Sequence, residues 1–316
     1  MTVLVTGASG YLGHQVAERL ASDGAQVRGL VRRPDASLPS GVRSVLVDLT
    51  GDALALEQAL AGTEVLVHCA AHLGDGARDR FRRVNVSGTH ALLDAAVRAG
   101  VRRFVHVSSI AVYGWARPGS VVGPEHGYDP CPELRDDYAW SKIEADRWVE
   151  LYRSRGLLDT VTLRPGIIYG RGRDFVARMF RAVGGGLRVI FGSPRMRVPL
   201  VHVTDVAEAI VQAVTRSGRV ARPVNVVGAD SPTQAEYLAL RRERKGEPSR
   251  AVYLPMGPTR LAGHLKARRA RFRVPTGRDL AYCLAWAAQE TVYDLRPAAT
   301  ELGWAPRIAL SEGLTE

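Results

Sequence analysis

A chain of 316 residues with 46% hydrophobic content can bury a full core, which excludes a disordered or fibrous protein and suits one large α/β domain or a domain carrying a smaller lobe. Its formal charge of +11 raises the question of nucleic acid, but the arginines are scattered, cluster only in "RRERKGEPSR" and "KARRARFR", and accompany no helix-turn-helix, zinc-finger or RNP-type pattern. No nucleic-acid partner is expected, and the charge reads as a solvated basic face or as attraction for an anionic ligand. The three cysteines, Cys69, Cys131 and Cys283, are widely spaced and form no CxxC or Cys/His cluster, which suggests a reduced compartment and no metal site.

The N-terminal stretch "MTVLVTGASGYLG" has neither a basic leader region nor an apolar signal core, and nowhere do 18 apolar residues run together. A cytoplasmic protein without a membrane partner is therefore expected. From the first residue onward, apolar β-branched runs alternate with amphipathic stretches, which predicts βαβ units and a parallel sheet. The candidate strands are "TVLVT", "QVRGLVR", "VRSVLVD", "EVLVHCA", "RFVHVSS" and "TVTLRPG". Candidate helices run from Leu12 to Ala21, Ala53 to Leu60, Val86 to Ala99 and Tyr138 to Arg155. Strands this continuously apolar need helices on both faces, so the fold class is α/β with a doubly wound parallel sheet.

Beyond Arg164 the rhythm loosens. "PGIIYGRGRD" and "GGGLRVIFGSPRMRVP" read as loops around a short helix. "TDVAEAIVQAV" predicts a helix with Thr204 as its N-cap, "PVNVV" one more strand, and the remainder helical pieces with basic linkers ending in "ELGWAP".

Gly7, Gly10 and Gly13 follow the first strand and run into the first helix. Glycines there permit a tight turn and close approach of a pyrophosphate, while the helix N-terminus offers unpaired N–H groups. With this TGxxGxxG spacing, and with "VDL", "HCAA", "VNVSGT", "VSSIAVYG", "YAWSK", "LRPGIIYG", "VHVTDVAEAI", "VNVVG" and "ELGWAP" following in order, nearly the whole chain resembles the extended branch of the short-chain dehydrogenase/reductase superfamily. That branch includes the NAD-dependent epimerase/dehydratase and 3β-hydroxysteroid dehydrogenase-like families.

The resemblance implies a Rossmann-type fold with a dinucleotide-binding domain over residues 1–165 plus about 198–228. A smaller C-terminal substrate-binding lobe would comprise residues 166–197 and 229–316. It assigns Gly7, Ser9, Gly10, Tyr11, Leu12 and Gly13 to the cofactor's phosphates, Asp48 and Leu49 to the adenine pocket, and Cys69, Ala70 and Ala71 to the cofactor wall. Pro165 and Gly166 would meet the nicotinamide amide, and Asn85 would support the site-bearing helix, either structurally or in a proton relay. Where an acidic residue after the second strand would hold the adenosine ribose, the chain has Val31, Arg32 and Arg33. Two guanidinium groups suit a 2′-phosphate, so NADP(H) is expected in preference to NAD(H), which stays possible if Asp35 is the acid.

Lysine is rare, occurring only as Lys142, Lys245 and Lys266, yet Lys142 stands four residues after Tyr138, on the same helix face. A phenol near pKa 10 is a poor proton relay at neutral pH, and a nearby ammonium is expected to lower it. By resemblance Ser109 supplies the hydroxyl that orients the substrate oxygen. No GxSxG elbow surrounds these serines, against a hydrolase, and the intact Ser109, Tyr138 and Lys142 set argues against a non-catalytic sensor. His68, His106 and His202 read as satisfied core residues. The acidic pair of sugar-nucleotide dehydratases is replaced by Ile110 and Ala111, and the segment before Asn85 is short, as on the steroid dehydrogenase and ketoreductase side.

The expected activity is thus an NADP(H)-dependent ketoreductase or alcohol dehydrogenase for a medium-sized small molecule: a polyketide, sterol-like or deoxysugar intermediate. The alternative is a nucleotide-sugar epimerase or dehydrogenase, with Arg171, Arg173, Arg195 and Arg197 on a diphosphate. Substrate contacts are expected from the insertion "RPGSVVGPEHGYDPCPEL", from Ile167 to Val198 and from the lobe bearing Trp286. A homodimer is possible through the helices equivalent to Val86–Ala99 and Tyr138–Arg155.

Overall fold

The computed structural model describes residues 1–73, 76–114, 116, 119–171, 181–184, 187–191, 193–246, 250–254, 261, 265 and 290–315. Cys283, Arg173, Trp286 and part of the insertion after Tyr113 lie outside them. The chain runs β1 (Thr2–Thr6), α1 (Tyr11–Ser22), β2 (Gln26–Val31), β3 (Arg43–Leu46), α2 (Ala53–Leu60), β4 (Val65–His68), α3 (Arg78–Phe81), α4 (Gly88–Arg98) and β5 (Arg103–Val107). A π-helical segment, Arg82–Ser87, joins α3 to α4. There follow β6 (Val121–Val122), α5 (Asp137–Ser154), β7 (Asp159–Pro165), β8 (Ile167–Tyr169), β9 (Arg181–Gly184), β10 (Leu187–Phe191), β11 (Leu200–His202), α6 (Val203–Thr215) and β12 (Val224–Val226).

Seven strands form one sheet in the order β12-β7-β5-β4-β1-β2-β3, and every pairing within it is parallel. Alternation along each strand divides the core in two. Val3, Val5, Val65, Val67, Val105 and Val161 face α1 and α6. Leu4, Leu30, Leu66 and Phe104 point the other way, into a second cluster with Leu56, Leu92 and Val149 from α2, α4 and α5. This is the doubly wound architecture expected of continuously apolar strands. Asp52 caps α2 through the Leu54 and Ala55 amides, and Asp136 caps α5 through the Ala139 amide at 2.9 Å. At α6 the expected cap moves from Thr204 to His202, whose Nδ1 accepts from the Thr204 amide at 3.3 Å, because the helix begins two residues earlier, at Val203.

Arg103, at the start of β5, is buried to 1% exposure. Its guanidinium donates to Asp159 Oδ2 at 2.8 Å and to the carbonyls of Ala213, Arg216 and Gly218. It ties β5 and β7 to the end of α6.

One expectation fails after β8. Of the two stretches read as loops, "PGIIYGRGRD" holds β8 and "GGGLRVIFGSPRMRVP" holds β10, while β9 lies at the end of the segment read as a short helix; β9 and β10 pair antiparallel, and β10 takes Arg250–Leu254 as a parallel neighbour. Strands this short leave little local signal, and the parallel partner of β10 lies more than 60 residues away. Among the described residues no helix is long and apolar enough to cross a membrane.

Candidate active site

Because all seven strands run the same way, their C-terminal ends share one edge of the sheet. The glycine loop follows β1, Arg32 and Arg33 follow β2, Asp48 and Leu49 lie beyond β3, and Cys69, Ala70 and Ala71 follow β4. Ser109 lies two residues past β5, and Pro165 ends β7. From β1 the chain winds one way to β2 and β3, and then crosses to β4 on the other side of β1. Ligands of open α/β sheets occupy the crevice at such a reversal.

Gly7 adopts φ +67°, and a Cβ there would stand 2.9 Å from the Ala70 backbone. Gly13 packs harder still: a Cβ on it would lie 2.1 Å from the Gly7 carbonyl oxygen. The Gly10 amide donates to that carbonyl at 2.8 Å, so turn and helix close on each other with no room for side chains. Gly10 caps α1 without any side-chain hydrogen bond, and Ser9 and Gly10 are exposed. Backbone N–H groups and the positive end of the α1 dipole therefore remain available to an anion. This cradle fits a dinucleotide's pyrophosphate.

Arg32 and Arg33 are exposed at the end of β2, and Arg33 pairs loosely with Asp35 at 3.8 Å. Asp48 accepts from the Thr50 amide and hydroxyl at 2.8 and 2.9 Å. That amide chiefly holds its carboxyl below the usual range, with Arg32 adding a smaller pull. Leu49 is buried in the core beside α2 and α4. Tyr11 and Leu12 are half-buried on the first turn of α1. Gly166 sits against the neighbouring strand β12, its amide donating to Val226 O at 3.0 Å.

Tyr138 and Lys142 share one face of α5, and the Lys142 ammonium lies 6.0 Å from the Tyr138 ring centre. Lys142 is 5% exposed and donates to the Val107 carbonyl at 2.8 Å, at the end of β5. Ser109 lies close enough to Tyr138 to draw its pKa down, and its hydroxyl oxygen accepts from the Ala111 amide at 3.1 Å. The three side chains are thus brought together. Their electrostatics depart from the expectation that Lys142 lowers Tyr138. Burial pushes the phenol up to about 12, Ser109 pulling the other way, and burial draws the Lys142 ammonium down to about 8 against the attraction of Asp146. Desolvation of both groups outweighs their mutual effect.

Behind them lies a polar scaffold whose proton directions follow from the donor inventory. Burial holds His68 well below its usual pKa, so its ring is neutral. Ala70 N–H donates to Thr6 Oγ1, Thr6 to His68 Nδ1 at 2.8 Å, His68 Nε2–H to Thr89 at 3.0 Å, and Thr89 to the Asn85 carbonyl at 2.6 Å. The Asn85 side chain then donates to Ser141 Oγ at 2.9 Å and accepts from the His72 amide at 2.7 Å, while Ser141 donates to the Tyr138 carbonyl at 2.8 Å. Asn85 thereby links the loop after β4 to the helix carrying Tyr138.

Sequence reasoning passed over Asp146 and Arg164. Asp146, 2% exposed, accepts from His106 Nε2 at 3.1 Å and from two Arg164 nitrogens at 3.2 and 3.3 Å. Arg164 also lies over the Tyr113 and Tyr128 rings, at 4.8 and 5.2 Å. The signal was present: Asp146 extends the four-residue spacing of Tyr138 and Lys142, and Arg164 interrupts an apolar strand. His106 is buried as expected, but among the described residues only Nε2 is partnered and Nδ1 has no hydrogen bond.

The family model described as the NAD dependent epimerase/dehydratase family matches residues 3–228. A 4-hydroxy-2-methyl-3-oxo-4-farnesyl-3,4-dihydroquinoline-1-oxide ketoreductase from Stigmatella aurantiaca is 31% identical over 99% of this chain and 95% of its own. A UDP-glucose 4-epimerase from Vibrio cholerae is 27% identical over 100% of this chain and 94% of its own. The solved structure of MoeE5 in complex with UDP-glucuronic acid and NAD is similar with a TM-score of 0.77 and 27% identity, covering 99% of this chain and 96% of that one.

Proposed function

Since the chain belongs to the NAD-dependent epimerase/dehydratase family of extended short-chain dehydrogenases/reductases, we propose that it is an NADP(H)-dependent ketoreductase or alcohol dehydrogenase acting on a medium-sized carbonyl or hydroxyl compound. The observation that carries this reading is the meeting of Ser109, Tyr138 and Lys142 at the sheet edge that also bears the glycine cradle. The cofactor, when bound, supplies or accepts the hydride at the substrate carbon. Ser109 holds the substrate oxygen by its hydroxyl, and Tyr138 passes a proton to that oxygen or takes one from it. A phenol held at about 12 stays a proton donor throughout neutral pH, which suits net reduction. Lys142 presents its ammonium beside the phenol and limits the charge that accumulates there.

Arg32 and Arg33, exposed at the end of β2, support NADP(H): they offer guanidinium donors to a 2′-phosphate where an NAD site would place a carboxylate. The ketoreductase from Stigmatella aurantiaca supports carbonyl reduction. A second reading, a nucleotide-sugar epimerase or dehydrogenase retaining NAD, is favoured by the sugar-nucleotide relatives and by the exposed Arg171, Arg195 and Arg197, which could hold a diphosphate.

Denaturing the purified protein and identifying its released nucleotide separates the two. A reductase exchanges its cofactor at every turnover and yields partial NADP(H). Stoichiometric NAD decides for the epimerase and against the role given to Arg32 and Arg33.

A further inference from the structure

A buried ammonium needs an anion, because desolvation penalises charge unless an opposite charge or several hydrogen bonds offset it. Among the described residues Lys142 makes one hydrogen bond, to a carbonyl. The groups facing it are few. From β4 and the loop that follows it come His68, whose pKa burial holds well below the usual value, and Cys69, whose thiol burial pushes up to about 12. From β5 comes His106, lowered chiefly by burial, and from its own helix come Tyr138 and Asp146. At neutral pH the two imidazoles, the thiol and the phenol carry no charge. Among the described residues, Asp146 is the anion.

Its placement is over-determined. Asp146 lies one turn beyond Lys142 on the face that carries Tyr138. Its two oxygens are divided between partners on two strands: Oδ1 receives His106 of β5 and Oδ2 receives Arg164 of β7. Burial opposes its charge, but the His106 hydrogen bond and the Arg164 guanidinium outweigh it and hold the carboxyl below its usual range. The carboxylate can neither swing toward solvent nor take up a proton near neutrality.

We propose that Asp146 is a positioning residue for the acid/base pair: fixed by His106 and Arg164, its carboxylate keeps Lys142 in the ammonium form and oriented toward Tyr138. The catalytic meaning of this device rests on the reductase reading, whereas the device itself is a property of the folded chain.

The rarity of lysine makes the test direct, since the full chain has only Lys142, Lys245 and Lys266. With lysine labelled with 13C at the ε carbon, three NMR resonances are followed against pH, and Lys142 is assigned by its loss in Lys142→Arg. In the parent, Lys142 is expected to titrate near pH 8. In Asp146→Asn its midpoint falls by at least about 1 pH unit, the size an opposite charge at close range confers. Should the orphaned Arg164 prevent that variant from folding, Asp146→Asn combined with Arg164→Met removes both buried charges together, and the same fall is expected.

A midpoint unchanged in either folded variant overturns the proposal. Turnover is read separately. If Tyr138→Phe retains full activity, the reductase reading falls while the lysine titration still decides the role of Asp146.

Discussion

Replacing Gly13 with alanine reverses the sign that helix propensity alone gives. In an unhindered helix interior the change stabilises by about 0.5–1 kcal/mol. At Gly13 the added methyl would lie 2.1 Å from the Gly7 carbonyl oxygen and 2.7 Å from its carbon, well inside the roughly 3.5 Å at which non-bonded atoms rest. Both neighbours are backbone, so no side chain can rotate away, and helix or turn must shift by about 1 Å. Overpacking of this kind costs about 2–3 kcal/mol, leaving a net loss of about 1–2 kcal/mol. The element displaced is the phosphate turn itself, so nucleotide affinity should fall more than tenfold. Gly88→Ala is the matched control: its φ is −62° and its methyl would meet Leu49 Cβ at an ordinary 3.5 Å, so it should be neutral or stabilising. Thermal melts and fluorescence titration with NADPH read both effects. A Gly13→Ala protein that melts no lower than the parent and binds NADPH equally would refute the close-packing argument.

Tyr138→Phe should lower turnover by about 10²–10⁴-fold with NADPH binding intact, and Ser109→Ala by about 10²-fold; measuring both in a carbonyl-reduction assay checks the assignment. Arg32→Ala and Arg33→Ala should each shift the NADP-to-NAD affinity ratio toward NAD by about one to two decades, the size of a charge-assisted hydrogen bond, and an unchanged ratio counts against them. Since Lys142 loses its charge above about pH 8, reductive kcat should be level below that pH and decline above it. The stability effect has a definite sign: the folded midpoint lies below the unfolded value near 10.4, so the penalty for burying this ammonium is full below pH 8 and disappears as pH rises toward 10.4. Denaturant melts of the parent and Lys142→Met should therefore differ most at neutral pH and converge near pH 10.5.

The main sheet was legible because its signals are local. Alternating apolar strands and the glycine spacing lie within short windows, and six of its seven strands stand at or within two residues of the stretches that predicted them, the seventh, β12, within "PVNVV". What the sequence concealed depends on partners distant along the chain. Strand β10 is defined by Arg250–Leu254, which it pairs with, and the charge states of Tyr138 and Lys142 by burial that only the fold creates. Asp146 is intermediate: its helix register was readable, but its meaning needed His106 and Arg164 from two strands.

The clasp made by Arg103 bears on how the molecule is manufactured. Its guanidinium reaches carbonyls as far as Gly218, 115 residues later in the chain. At a ribosome adding about 5–20 residues per second, that partner is synthesised roughly 6–23 s after Arg103 itself. Until then a strand destined for the centre of the sheet carries a cation with nothing to neutralise it but water or Asp159. The nascent N-terminal portion therefore cannot close its sheet in final form ahead of the rest, and is exposed meanwhile to chaperone capture. Folding of β5 is coupled to the end of α6 through one side chain, so a protein cut between Arg103 and Gly218 should regain its native sheet only when both pieces are present together.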